Sequence, residues 1–258
     1  MIGAIAGDII GSYYEAFSTK DSDFPLFHEY CRFTDDTVLT VAVANWVLNG
    51  GDLANEFHAY FDAYPQAGYG ASFIRWAGYK HREPYNSWGN GSAMRVSAVG
   101  FAFDSLDMVL ARAKESAEVT HNHEEGIRGA QATAAAIFIA RNGRNKSEIK
   151  KYIQTQFGYD LNRTLNDIRP GYSFDVSCQG SVPESIISFL ESTDYENAVR
   201  NAVSLGGDAD TMACIAGGIA EAYYGGVPDE IQKKTFEILD ERLTKTVNEF
   251  TARFEIDT

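Results

Sequence analysis

Gly206-Gly207-Asp208-Ala209-Asp210-Thr211 sets two carboxylates and a hydroxyl within four residues, directly after a glycine pair that lets the backbone turn sharply. The segment that follows, Met212-Ala213-Cys214-Ile215-Ala216-Gly217-Gly218-Ile219-Ala220, carries no charge and reads as a buried helix. The acids therefore stand at the mouth of an apolar element, where ionised side chains are costly unless paired, solvated or metal-bound. Far upstream, Thr34-Asp35-Asp36-Thr37 repeats the chemistry, and an apolar run from Val38 to Ala44 again follows. Together the clusters offer four carboxylates and several hydroxyls, with no Cys or His beside them. That donor set suits hard divalent cations, Mg2+ or Mn2+, and not zinc. Four acids are enough for two ions, and a metal pair polarises a substrate or activates water. A plainer account competes: Asp and Thr are favoured N-caps, and each cluster would then only satisfy the first N–H groups of its helix. One acid is enough to cap, so the second acid in each cluster is what capping leaves unexplained.

The elements that would position these acids are helical throughout. Residues 2–14 carry Ile2, Ile5, Ala6, Ile9, Ile10 and Tyr13 at helical spacing, and Gly3, Gly7 and Gly11 fall four apart on one face. Such a face permits close helix packing or close approach to a ligand. Glu15 ends this element and faces the region of the acids, although a lone Glu at a helix end also reads as a solvated surface residue. Residues 16–33, with Pro25, read as a loop. Further helices are expected over 37–48, from Asp52 to Pro65, over 93–101, 105–119, 127–140, 147–157, 183–191, 194–204, 210–224 and 228–253, with a short one at 72–79. Pro183 and Pro228 are read as first-turn prolines. No alternating strand pattern occurs, so the expected fold is all-α, in one domain over 1–258.

Bulk composition excludes several function classes. Asp and Glu outnumber Lys and Arg by 36 to 22, a net charge of −14 that argues against non-specific nucleic-acid binding. Cys31, Cys178 and Cys214 are widely spaced with no CxxC pair and read as reduced thiols. No run of 18 apolar residues occurs and the first residues lack a basic region, so a soluble cytoplasmic protein with no membrane association is expected.

Other stretches invite chemistry of their own. The irregular, aromatic-rich residues 65–91 lead into Gly89-Asn90-Gly91-Ser92, a Gly-rich helix start whose N–H groups suit a phosphate or an ordinary capped turn. His121 and His123 do not share a helix face, and the stretch lacks partners for zinc, so hydrogen bonding is expected of them.

These motifs, taken in order, resemble the ADP-ribosylglycohydrolase family. The pieces that carry the resemblance are Gly3 to Asp8, Phe33-Thr34-Asp35-Asp36-Thr37, Gly89-Asn90-Gly91-Ser92-Ala93-Met94-Arg95, Thr120-His121 with Gly126, and Gly206 to Thr211. The resemblance implies a compact orthogonal multi-helix bundle with two Mg2+ or Mn2+ ions in a cleft. Thr34, Asp35 and Asp36 match one half of that metal site, and Asp208, Asp210 and Thr211 the other. Glu15 matches a glutamate on a mobile loop near the metals, and Asp35 and Glu15 are the implied catalytic acids. Asn90, Gly91, Ser92, Met94, His121 and Gly126 match positions that line the ADP-ribose site. Tyr172 or Phe174 is a candidate for stacking on adenine. The implied reaction is hydrolysis at the anomeric carbon of ADP-ribose carried by a modified protein (arginine or serine), a nucleic-acid end or a small molecule such as O-acetyl-ADP-ribose, by a monomeric enzyme. The chain is short for the family, and Glu83 is the nearest carboxylate before the Asn90 turn for recognising a guanidinium. A catalytically silent, crystallin-like relative would be signalled by loss of a metal acid, and none is missing. An aspartyl-phosphate enzyme would need a strand before Asp208-Ala209-Asp210-Thr211, which here follows a helical stretch.

Overall fold

The computed structural model describes residues 1–254, and every regular element among them is helical, in line with the all-α expectation. The last four positions of the domain expected over 1–258 lie outside the described residues. In chain order the helices begin with α1 (Ile2–Ala16), α2 (Asp35–Asn49), α3 (Leu53–Ala63), α4 (Ala71–Gly78), α5 (Gly91–Met94) and α6 (Ser97–Ala102). They continue with α7 (Leu106–Glu118), α8 (Glu124–Arg141), α9 (Lys146–Phe157), α10 (Leu165–Ile168) and α11 (Cys178–Leu190). The last four are α12 (Tyr195–Val203), α13 (Ala209–Tyr224), α14 (Asp229–Ile238) and α15 (Glu241–Phe254). Among the described residues no helix is long and apolar enough to cross a membrane.

Helices α1 and α13 form the spine, and the glycine face of α1 explains why they lie so close. A β-carbon on Gly3 would sit 2.7 Å from the Gly217 carbonyl oxygen; one on Gly7, 2.5 Å from the Ala213 carbonyl carbon; one on Gly11, 2.5 Å from the Asp210 α-carbon. Each step of four down α1 thus meets a step of about four back along α13, so the helices run antiparallel in backbone contact. The end of α1, with Glu15, is thereby brought to the beginning of α13, with Asp208 and Asp210. The other end is fastened by Tyr195, whose hydroxyl donates to the Gly3 carbonyl at 2.7 Å, and by Glu221, which accepts from the Gly3 N–H at 2.9 Å. Both helices are buried on nearly all sides, with Ile5, Ile9, Met212 and Ile219 in one continuous apolar cluster. The alanine-rich α8 packs beside α13, and a β-carbon on Gly100 of α6 would meet Ile137 of α8 at 2.7 Å.

Several boundaries differ from the sequence expectation, each for a local reason. The single helix expected over 93–101 is two short helices, α5 and α6, because Arg95 between them turns its side chain beneath α7. Pro183 does not open a helix: α11 starts at Cys178, capped by the Ser177 hydroxyl accepting from Gly180 N–H, and Pro183 lies inside it. The carbonyl deprived of its N–H partner belongs to the exposed Gln179, one turn back. The helix expected over 228–253 breaks at Leu239-Asp240, where the Asp240 carboxylate accepts from Leu243 N–H at 2.9 Å and starts α15. Pro228 precedes α14 rather than lying in its first turn. Helix α10, opened by a Thr164–Asp167 capping box, is an element that hydrophobic periodicity did not reveal.

Candidate active site

Both acidic clusters open helices, as capping requires, but their acids do more than cap. Thr34 is the N-cap of α2, its hydroxyl accepting from Asp36 N–H at 3.3 Å, while Asp208 occupies the same place on α13 without any side-chain capping bond. The two helix starts face each other: Thr211 Oγ1 donates to Asp36 Oδ2 at 3.2 Å, across 175 positions of sequence. Asp208 Oδ2 accepts from Asn90 Nδ2 at 2.8 Å, and Asp210 Oδ1 from its neighbour's N–H, Thr211, at 2.8 Å. Asp36 Oδ1 is buried with no hydrogen-bond partner among the described residues.

Oxygen ligands gather in two sets. Asp8, Asp36 and Asp210 each place an oxygen within 4.8 Å of the others, as do Glu15, Asp208 and Asp210. Asp210 belongs to both. Asp35, expected as a ligand, is in neither close set; it opens α2 at the cavity wall, and its N–H donates to the Ala67 carbonyl at 2.9 Å. Crowding acids in a buried place disfavours their charge. Burial first, and then Asp8 and Asp208, push Asp35 up to about 8. Burial and the neighbouring carboxylates likewise raise Asp36 and Asp210 well above the usual range. Glu15 is exposed as a residue, yet its carboxyl is raised by partial burial and by Asp208, against the opposing pull of Arg32.

Asp8 is the member that reading by residue type left without a role. It lies mid-helix in α1, fully buried, and accepts from Thr34 N–H at 2.9 Å, Thr34 Oγ1 at 2.6 Å, Thr37 N–H at 3.1 Å and the Thr37 hydroxyl. It therefore ties the start of α2 to the spine. The visible signal was an acid in the middle of an apolar stretch, between Gly7 and Gly11.

A cavity of about 420 Å³ opens beside the acids, lined by Glu15, Asp35, Asp36, Asp208, Asp210 and Thr211. The lining also holds Asn90, Gly91, Met94 and His121, four of the positions matched to the ADP-ribose site. Ser92 and Gly126 are not on the lining: the Ser92 hydroxyl donates to the Gly126 carbonyl at 2.7 Å, fastening α5 to the start of α8. Thr34 lines the cavity, with its hydroxyl committed to Asp8. Of the two stacking candidates, Phe174 is on the wall and exposed, whereas the Tyr172 hydroxyl donates to the Gly180 carbonyl at 2.6 Å. Glu83 is absent from the wall. His123 caps α8, its Nδ1 accepting from Glu125 N–H at 3.1 Å, so it does hydrogen-bond and stands apart from the acids.

Comparisons with known proteins agree with this architecture. The chain is 28% identical to ADP-ribosylhydrolase ARH3 of Homo sapiens, over 90% of this chain and 87% of that protein. It is 23% identical to ADP-ribosylarginine hydrolase Tri1 of Pseudomonas putida, over 91% of this chain and 72% of that protein. A solved structure described as an ADP-ribosylglycohydrolase-related protein complex superimposes with a TM-score of 0.72 at 23% identity, covering 100% of this chain and 97% of that one, and so shares the fold. The family model described as ADP-ribosylglycohydrolase matches residues 1–257, and the chain belongs to that family.

Proposed function

We propose that the protein is a divalent-cation-dependent hydrolase of the glycosidic bond at the anomeric carbon of ADP-ribose. Family membership supports hydrolysis of ADP-ribosyl bonds. The observation that carries the cation dependence is the convergence of two oxygen sets, Asp8–Asp36–Asp210 and Glu15–Asp208–Asp210, on one cavity. The fit is chemical: the donors are hard oxygens, the buried Asp36 Oδ1 lacks a partner, and the acids repel one another unless a cation sits among them. Asp8 already accepts from four donors, so in this reading it orients Thr34 and α2. Asp36, Asp208 and Asp210, with Thr34, Asp35 and Thr211 beside them, are left to hold two Mg2+ or Mn2+ ions.

Such ions, when bound, supply concentrated positive charge beside the ribose. The chain's own groups do the rest. A water oxygen adds to the anomeric carbon as the bond to the acceptor breaks, and the water's proton must leave. Asp35, on the cavity wall beside the other acids, serves as general base in its ionised form, and the departing acceptor atom takes up a proton in turn. Glu15, at the end of α1 beside Asp208, is the second acid in reach of the same place. Asn90, Gly91 and His121 line the same cavity, where the diphosphate and ribose would lie, and Phe174 offers the exposed ring for adenine.

The name of one relative specifies an arginine linkage and that of the other specifies none, and the cavity wall lacks Glu83 as a guanidinium partner. The test is release of ADP-ribose from an arginine-linked and a serine-linked protein in parallel, with Mg2+ or with EDTA. Release from at least one substrate, abolished by EDTA, is expected. Undiminished release in EDTA would sink the cation dependence, and failure to bind or release ADP-ribose from any substrate would sink the reading altogether.

A further inference from the structure

Among the described residues the largest fully buried side chain is a cation, and no carboxylate among them pairs with it. Arg95 has no measurable exposure, and its guanidinium lies 4.4 Å from the centre of the Phe57 ring. Burial draws its pKa down to about 10, which leaves it charged at neutral pH. Its Nη2 donates to the Ser116 carbonyl at 2.8 Å and to Thr120 Oγ1 at 2.9 Å. Thr120 Oγ1 is in turn 2.7 Å from Nδ1 of His121. Both Thr120 and His121 are buried, and the chain of contacts ends at the cavity wall.

The direction of the protons follows from the fixed end. A guanidinium only donates, so the Thr120 oxygen is an acceptor on that side. If His121 Nδ1 also donated to it, the hydroxyl proton would have only the Tyr85 phenol, which also approaches Thr120, to accept it, a weaker acceptor than an unprotonated imidazole nitrogen. The hydroxyl therefore gives its proton to Nδ1, and the imidazole carries its own on Nε2. Burial and the nearby Arg95 charge hold His121 well below the usual histidine range, so the ring is neutral. Nε2 has no hydrogen-bond partner among the described residues. It fronts the Gly89–Gly91 turn: a β-carbon on Gly91 would lie 3.1 Å from it, and one on Gly89 3.6 Å.

We infer that Arg95 is a positioning residue: through the Thr120 hydroxyl it locks His121 as the Nε2–H tautomer, presenting one fixed donor to an anionic oxygen at the Gly89–Gly91 turn. This rests on the proposed function for the identity of that oxygen, a diphosphate oxygen of ADP-ribose, but the tautomer itself does not depend on it. The arrangement gives the cavity a neutral, pH-insensitive donor beside the buried Arg95 cation on the same lining.

The test is 15N NMR of the imidazole nitrogens in the full chain, with the His121 signals assigned by their loss in His121→Gln. Nδ1 should show the unprotonated shift and Nε2 the protonated shift from pH 6 to 9. Thr120→Val should mix the two tautomers and weaken ADP-ribose binding by calorimetry about tenfold, and Thr120→Ser should restore both. A protonated Nδ1 in the unaltered protein overturns the inference whatever the variants do, and so does a Thr120→Val protein with unchanged tautomer and affinity. If the unaltered protein shows the Nε2–H tautomer but does not bind ADP-ribose, the proposed function fails and the positioning role stands.

Discussion

Gly11→Ala tests how the spine builds the site. The added β-carbon would lie 2.5 Å from the Asp210 α-carbon and 2.6 Å from its nitrogen, against backbone that has no rotamer to yield. Relief to an ordinary contact requires the helices to part locally by roughly half to one ångström, in an interior packed as densely as a crystal. Alanine gains about 1 kcal/mol over glycine in a helix interior. Overpacking typically costs about 1–3 kcal/mol and more where backbone must move, so the clash wins by about 2 kcal/mol. For a chain of this size that is a fall in melting temperature of roughly 4–8 °C. The larger effect is on chemistry, because the displaced residue is Asp210, common to both oxygen sets, and Glu15 on the next turn of α1 moves with it. A misplacement of about 1 Å costs on the order of 10²-fold in turnover. Thermal unfolding and ADP-ribose release measure the two effects, with Gly78→Ala as control, since that exposed helical glycine has open space around it. A Gly11→Ala protein that melts within about 1 °C of the parent and turns over normally would refute the packing argument.

Asp8→Asn turns one acceptor oxygen into a donor facing the N–H and O–H groups of Thr34 and Thr37, leaving buried donors unmet. A loss of about 2–4 kcal/mol, with weaker Mn2+ binding, is expected by denaturant titration and calorimetry; unchanged stability would deny the tether. In EDTA the raised carboxyls set the pH dependence. Asp35 moves from an ordinary value of 3.8 unfolded to about 8 folded, so its stabilising contribution is full below about pH 4 and is lost as pH rises through 8. Melting temperature should therefore fall over that range in EDTA and recover with Mg2+; a flat profile in EDTA contradicts the mutual repulsion of the acids.

How much of this was legible depended on whether the signal was local. The acids of Thr34 to Thr37 and Gly206 to Thr211 announce themselves, because their oxygens are neighbours in sequence and open apolar helices. Asp8 did not acquire a role, since its partners Thr34 and Thr37 are reached only through the fold. The meeting of Glu15 with Asp208 and Asp210 depends on the antiparallel register of α1 and α13, of which the spacing of Gly3, Gly7 and Gly11 gave only half. Arg95 ended α5 for a tertiary reason, the carbonyl of Ser116 and the hydroxyl of Thr120, which no propensity carries. Pro183 misled because a proline reads as a helix start, whereas the Ser177 cap had already opened α11. Asp240 was an ordinary capping signal hidden by an apolar pattern that ran on past it, and Thr164 opens a helix of about one turn, too short to show a period.

The central claim is that acids at the starts of α2 and α13, tied together by Asp8 of α1, jointly hold divalent cations, and Asp210 is the residue shared by both oxygen sets. Calorimetric titration of Mn2+ into the unaltered protein and into Asp210→Ala, with ADP-ribose release followed on the same samples, tests it most directly. The account predicts two ions bound by the parent, loss of both in the variant, and loss of turnover with them. Unchanged Mn2+ binding by Asp210→Ala would contradict it, as would full turnover without the ions.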